Sequence, residues 1–240
     1  GYLFTNTYLG DYPMFLPGGK EQIAGEYQPG WMLLSYGKKV SVSSSLEGYP
    51  AENIVDEDAR TAWVAQSNRD MEWAQVDLQR LSSIHAIQVN FDEYGANQKG
   101  AVSGVYQSYL IYASVNGADW SLVVDYGTKK TDTPHDYIEF EEPFKARYIK
   151  LQNKEYMVSE NFSVRDLRIF GKGQGSTPRA VNDFTVERDE ADPCKARLCW
   201  EAVPDAQGYI VRYGIAGDKL YNNFQVMGEN TCLLYTSDAA

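Results

Sequence analysis

The stretch Asn53-Ile-Val-Asp56-Glu57-Asp58-Ala-Arg60-Thr61-Ala-Trp63, followed by Trp73-Ala-Gln-Val-Asp77-Leu78, decides the fold. Two carboxylates stand two residues apart, a threonine follows, and a tryptophan closes the run. Calcium takes about six to eight hard oxygen ligands and accepts carboxylates and backbone carbonyls together. A tight loop built on Asp56, a carbonyl two residues on and Thr61 can offer several such oxygens from one turn. Spacing alone leaves a second reading open, a solvated acidic turn. An EF-hand is excluded, because the loop lacks the sixth-position glycine and the distant bidentate glutamate.

Around this loop the chain reads as β structure. Its 240 residues suffice for one large or two medium domains. Short β-branched and aromatic runs, split by Gly, Asn, Asp and Pro, predict an all-β protein in which 18 tyrosines dominate the aromatics. No segment is apolar for the length of a membrane span, so no membrane insertion is expected. A net charge of −11 repels phosphate backbones and anionic headgroups. No basic run with interleaved aromatics appears, so nucleic acid is not an expected partner. Neutral glycans stay compatible with such a surface.

Further along come Ile84-His85-Ala-Ile87-Gln-Val89-Asn-Phe91, Tyr109-Leu-Ile111-Tyr-Ala-Ser-Val115-Asn-Gly117-Ala-Asp-Trp120, Ala146-Arg-Tyr148-Ile-Lys-Leu151 and Ser163-Val-Arg165-Asp166-Leu-Arg-Ile169-Phe-Gly171. In this order and spacing, residues 31–172 resemble the discoidin domain, also called the coagulation factor 5/8 type C domain. Its bacterial carbohydrate-binding version is carbohydrate-binding module family 32. The resemblance implies an eight-stranded jelly-roll β-sandwich, often with one structural calcium ion. Carried over residue by residue, the ion would take the Asp56 carboxylate, the Thr61 hydroxyl and carbonyl, and the Asn53 and Asp58 carbonyls. The Arg165 carbonyl and the Asp166 carboxylate would close the site. Many relatives have Glu at the position of Asp166, whose shorter side chain changes the geometry of that ligand.

The resemblance also implies a sugar site in loops at one end of the sandwich, where aromatics stack on the ring and polar groups bond its hydroxyls. The longest loop, 92–106, is Gly-rich and polar, and offers Tyr94, Asn97, Gln98 and Tyr106. A second candidate, 153–162, offers Tyr156. The same tyrosines could instead cap the sandwich. Trp63, Trp73 and Trp120 are read as packing. His85, in phase with Ile87, Val89 and Phe91, is read as a satisfied inward residue, and His135 as a turn former. Two histidines give no basis for zinc.

The flanks carry their own signals. Gly171 to Pro178 is a flexible linker by composition, and 173–178 are taken as the linker between the two domains. From Arg179, the alternation around Trp200, the Pro204-to-Gly208 turn and the Tyr209–Tyr213 run resemble a fibronectin type III domain, an immunoglobulin-like sandwich. Residues 179–231 make only part of one. Residues 232–240, Cys232-Leu-Leu-Tyr-Thr-Ser-Asp-Ala-Ala240, resemble the translation of a sequencing adapter. Cys194, Cys199 and Cys232 predict no disulfide framework, and Cys194 and Cys199 point apart if they share a strand. The expectation is unpaired cysteines.

Residues 1–30, with Phe4-Thr-Asn6-Thr-Tyr8 and Gly10-Asp11-Tyr12-Pro13, resemble the end of the β-propeller catalytic domain of glycoside hydrolase family 43. The resemblance implies an inverting hydrolase of xylose- or arabinose-containing polysaccharide, bacterial and secreted, periplasmic or cell-surface, with its acidic catalytic residues upstream. Asp11 is a turn former by type and place. The expected function is thus a non-catalytic carbohydrate-binding and positioning region, whose partners are a polysaccharide or oligosaccharide and the upstream catalytic domain. A purely structural calcium-stabilised module, or an adhesion module for a protein or host glycan, are the alternatives.

Overall fold

The computed structural model describes residues 31–96, 104–173, 181, 183–192, 194–204, 206, 208–214, 217, 222–228 and 230–236. Two compact units are present, one of them Trp31–Gln174. Its strands are β1 (Met32–Leu33), β2 (Lys39–Val42), β3 (Trp63–Val64), β4 (Trp73–Phe91), β5 (Gln107–Ser114), β6 (Ser121–Tyr126), β7 (His135–Tyr156) and β8 (Ser163–Gly173), with a short 3-10 helix at Ala51–Val55. All pairings are antiparallel, in the order β1-β8-β4-β7-β5-β6, with β2 on β4 and β3 on β8.

Two long strands make the sandwich from this single path. The first half of β4 pairs with β2 and with the second half of β7, as Val76 with Val40 and Ile149. The second half of β4 pairs with β8 and the first half of β7, as Ile87 with Ile169 and Ile138. The register breaks between Asp77 and Ser82. There Gln79 has φ +67°, and its N–H donates to Asp77 Oδ1 at 2.7 Å. A bulged, left-handed residue bends a strand sharply, so β4 and β7 each serve both layers.

Alternation along the strands fills the space between the layers. Val76, Ile111, Ile149 and Leu151 of one layer, and Ile84, Val89, Leu167 and Ile169 of the other, are fully buried. Trp63, Phe91, Tyr109, Tyr156 and Phe162 add an aromatic cluster with ring centroids 5.3–6.1 Å apart. Each such side chain contributes roughly 1.5–3 kcal/mol on burial.

The second unit has a three-stranded sheet of β9 (Phe184–Arg188), β10 (Lys195–Trp200) and β13 (Cys232–Thr236), in the order β13-β10-β9. A hairpin of β11 (Gly208–Tyr213) and β12 (Asn222–Met227) accompanies it. Trp200 meets Tyr209 edge-on at 5.2 Å. The expectation of unpaired cysteines is corrected here. Cys199 and Cys232 lie opposite each other on β10 and β13, Cα atoms 4.1 Å apart, and form a disulfide, while Cys194 is free. Sequence spacing could not show this, because the pairing depends on which strand β13 joins.

Candidate functional site

The acidic loop begins where the 3-10 helix ends at Asp56. Asp56 Oδ1 accepts the Asp58 N–H at 2.9 Å, an Asx turn that curls the backbone. Glu57 takes φ +61° and turns away. Thr61 Oγ1 then lies 2.8 Å from Asp56 Oδ2 and 2.9 Å from the Asp58 carbonyl. Asn53 Nδ2 donates to the Ala62 carbonyl and closes the turn. The Asp58 carboxylate is directed outward to Arg60, which holds its pKa down to about 2, so Asp58 offers the loop its carbonyl alone.

Three oxygens therefore converge: the Thr61 hydroxyl, the Asp56 carboxylate and the Asp58 carbonyl, which also accepts the Thr61 N–H at 3.1 Å. Hard oxygens of these three kinds are those that calcium accepts together. β3 carries the loop onto β8: Trp63 pairs with Val164 and Val64 with Ser163. Continuing that register sets Thr61 opposite Asp166. Asp166 is buried, accepts from Asn90 Nδ2 at 2.8 Å, and is pushed up to about 6 chiefly by its burial. Among the described residues no three His, Cys, Asp or Glu side chains gather around one point. The donors in contact here are the Asp56 carboxylate, the Thr61 hydroxyl and the Asp58 carbonyl. The Arg165 guanidinium pairs with Asp92, and its Nε is buried without a partner.

Glu57, turned from the cluster, receives Arg168 Nε at 2.9 Å and Nη2 in a second contact. Arg168 is only 1% exposed. This buried pair fixes the loop on β8.

Loops 43–50, 65–72 and 157–162, with 92–96 and 104–106, converge at one end of the sandwich. Asn68 Nδ2 donates to the Ser159 carbonyl at 2.8 Å, and the Met157 N–H to the Tyr106 carbonyl. Tyr94 is half-buried there and meets Tyr49 edge-on, centroids 4.9 Å apart at 69°. Tyr49 was not among the expected sugar contacts. Its signal is its place in Gly48-Tyr49-Pro50, a turn that faces the long loop. Asn97 and Gln98 lie outside the described residues.

One expected contact is corrected, and a second is partly engaged. Tyr156 is 2% exposed, packs on Phe91 and Phe162, and donates to the Asp92 carbonyl, so its ring has no free face. Position 156 ends β7, and strand alternation turns it inward. Tyr106 is half-buried and donates to Glu155 Oε2 at 2.6 Å, while Lys130 Nζ sits 5.1 Å from its ring centroid. One ring face is thus taken. His85 is corrected too: the bulge between Ile84 and Ala86 breaks the alternation, and His85 turns outward to stack on Trp31 at 4.9 Å and 25°. His135 Nδ1 meets Asn90 Oδ1 at 3.1 Å. Of the tryptophans read as packing, Trp63 is fully buried and donates to the Ser44 carbonyl. Trp73 and Trp120 stay half-buried, beside Lys150.

A two-layer sandwich of bent, shared strands, with an oxygen-lined loop on one layer and aromatic residues in loops at one end, defines a class of jelly-roll domain. Residues 39–166, more than half of the chain, match the F5/8 type C domain, and the chain belongs to that family. Lactadherin from Rattus norvegicus is 33% identical over 110 residues, covering 43% of this chain and 25% of lactadherin. Lactadherin from Mus musculus is 32% identical over 110 residues, covering 43% and 23%. The chain spans about a quarter of the length of these curated relatives. Among solved structures, chitosan-binding module 1 from a chitosanase/glucanase of Paenibacillus sp. IK-5 has a TM-score of 0.49 at 20% identity, covering 58% of this chain and 99% of that one. The family 32 carbohydrate-binding module of C. perfringens NanJ, in complex with galactose, has a TM-score of 0.46 at 18% identity, covering 58% and 97%.

Proposed function

We propose that this chain is a non-catalytic carbohydrate-binding and positioning region of a secreted glycoside hydrolase, one acting on xylose- or arabinose-containing polysaccharide. The observation that carries the reading is the Tyr49–Tyr94 pair, half-buried at the loop end of an F5/8 type C sandwich. A ring held edge-on by a neighbour keeps its own face for an apolar sugar surface, and it loses little rotamer freedom on binding. The acidic balance of the chain suits a neutral glycan.

In this reading a calcium ion is structural. The Asp56 carboxylate, the Thr61 hydroxyl and carbonyl, the Asn53, Asp58 and Arg165 carbonyls, and the Asp166 carboxylate would hold it, and it would supply the positive charge that their oxygens lack. The second unit is a partial fibronectin type III domain acting as a spacer, and the upstream catalytic domain is inferred from the likeness of residues 1–30, which lie outside the described residues. The location is secreted, periplasmic or on a bacterial surface. Among the described residues no helix is long and apolar enough to cross a membrane.

A second reading, a scaffold with no sugar site, is favoured by the burial of Tyr156 and the engagement of Tyr106. A glycan array with the whole chain and its Tyr94→Ala variant separates the two. Binding to a xylose-, arabinose- or galactose-containing glycan, weakened at least about tenfold in the variant, is the expected result. No binding of any glycan by the folded chain would leave the scaffold as the better account.

A further inference from the structure

The outward face of the β2-β4-β7-β5-β6 layer is not the solvated polar face that strand alternation normally leaves. One cross-strand row runs Ser41, Gln75, Lys150, Tyr112, Leu122 through all five strands. Trp73 lies one pleat along β4 from Gln75, and Tyr148 one pleat along β7 from Lys150. Trp120 stands at the start of β6, raised by the turn at 114–119, where the Asn116 side chain caps the Ala118 and Asp119 N–H groups. Apolar surface is open here, with Leu122 47% exposed.

At the centre, Lys150 Nζ is 3.9 Å from the Trp120 ring centroid and 5.6 Å from that of Trp73. Trp120 is itself braced edge-on by Tyr148 at 6.5 Å. The neighbouring cations on this strand are neutralised: Arg147 by Asp77 and Lys154 by Asp70. Lys150 has no ion pair or hydrogen bond among the described residues. Burial lowers its pKa, and no carboxylate acts to raise it. In a chain with 33 acidic and 22 basic residues, an ammonium held between two indoles without an acidic partner is out of keeping with its surroundings. Cation–π contact contributes about 0.5–2 kcal/mol but leaves the three N–H donors unused.

We infer that this sheet face is a second saccharide surface, separate from the loop end, that binds a neutral polysaccharide chain bearing sparse uronate groups. The sugar backbone lies across Trp120, Tyr112 and Trp73, the Gln75 amide bonds hydroxyls, and Lys150 receives one uronate carboxylate. The net charge of −11 sets the sparseness, because a dense polyuronate is repelled by the molecule as a whole while a single carboxylate is held locally. This rests on the saccharide-binding reading above but places a different chemistry on a different surface.

The test is binding of the whole chain to 4-O-methyl-glucuronoxylan, to the same polysaccharide with its carboxyls reduced to alcohols, and to polygalacturonate. Wild-type chain is expected to bind the native polysaccharide at least about tenfold more tightly than the reduced one, and more tightly than polygalacturonate at low salt. Lys150→Met, which keeps the aliphatic stem between the indoles, abolishes the preference for the native polysaccharide. Trp120→Ala weakens both native and reduced forms, and Tyr94→Ala leaves the preference intact. Equal binding of native and reduced forms by wild type overturns the inference, whether or not any variant folds. A preference lost in Tyr94→Ala but kept in Lys150→Met moves the uronate site to the loop end, overturning this inference while sparing the proposed function. Absence of binding to every glycan removes both.

Discussion

Arg168 shows how a residue holds a site without belonging to it. Its guanidinium is almost wholly buried and meets Glu57, whose left-handed backbone directs it from the acidic loop onto β8. A buried charge that loses its partner costs about 3–5 kcal/mol, whereas removing both charges costs less. Glu57→Ala is therefore expected to destabilise the sandwich by about 3 kcal/mol, and Glu57→Ala with Arg168→Met by less than Glu57→Ala alone, both read from urea unfolding. A double variant less stable than the single one would refute the assignment. The Asp77–Arg147 pair behaves differently, being partly exposed. Arg147 holds the Asp77 carboxyl below the ordinary carboxylate value. Its contribution is full above the unfolded value of about 3.9 and is lost as pH falls through the lower folded value. The stability gap between wild type and Asp77→Asn, no more than about 1 kcal/mol after solvent screening, should be present at pH 7 and shrink by pH 3. Tyr156 and Trp120 mark what composition conceals at this scale. Both are aromatics near loops, yet one faces inward by strand phase and the other sits beside a lysine on the opposite surface of its sheet.

At the level of elements, β8 joins three others, pairing with β1, β3 and β4. Gly171 sits where β1 and β4 both approach it, opposite Met32 and Ile84. A Cβ there would lie 2.0 Å from the Ser83 carbonyl oxygen, a backbone atom that cannot step aside. Gly171→Ala is expected to cost more than about 3 kcal/mol, and a thermal midpoint unchanged from wild type would show that β4 yields instead. The alternating runs at 73–78, 84–91, 109–115 and 146–151 were legible as strands, because period-two burial is local. The corner at Gln79 and the bulge at Ile84 were not. Each depends on how two layers meet, and the second is why His85 departs from the phase of Ile87 and Val89.

For the molecule as a whole, the acidic loop gives the clearest measurement. A cation that binds only the folded chain stabilises it by mass action, about 2.7 kcal/mol at a hundredfold excess over its dissociation constant. The thermal midpoint is expected to rise by several degrees with calcium and fall with chelator, and Asp56→Ala should remove the difference. Coincident midpoints for the wild-type chain would end the calcium assignment. By itself the sequence determined the family, the all-β class and the residues of the acidic loop. These rest on residue types at short spacing, and short spacing is fixed by the backbone geometry of one turn or one strand. It could not determine which tyrosines keep a free face, that Cys199 meets Cys232, or that Trp73, Trp120 and Lys150 gather on one surface. Those positions lie 30 or more residues apart, and only the pairing of β4 with β7, β7 with β5, and β10 with β13 brings them within reach. Which strand lies beside which is a property of the packed sandwich, where burial of the whole core selects one arrangement over others that the same local patterns allow.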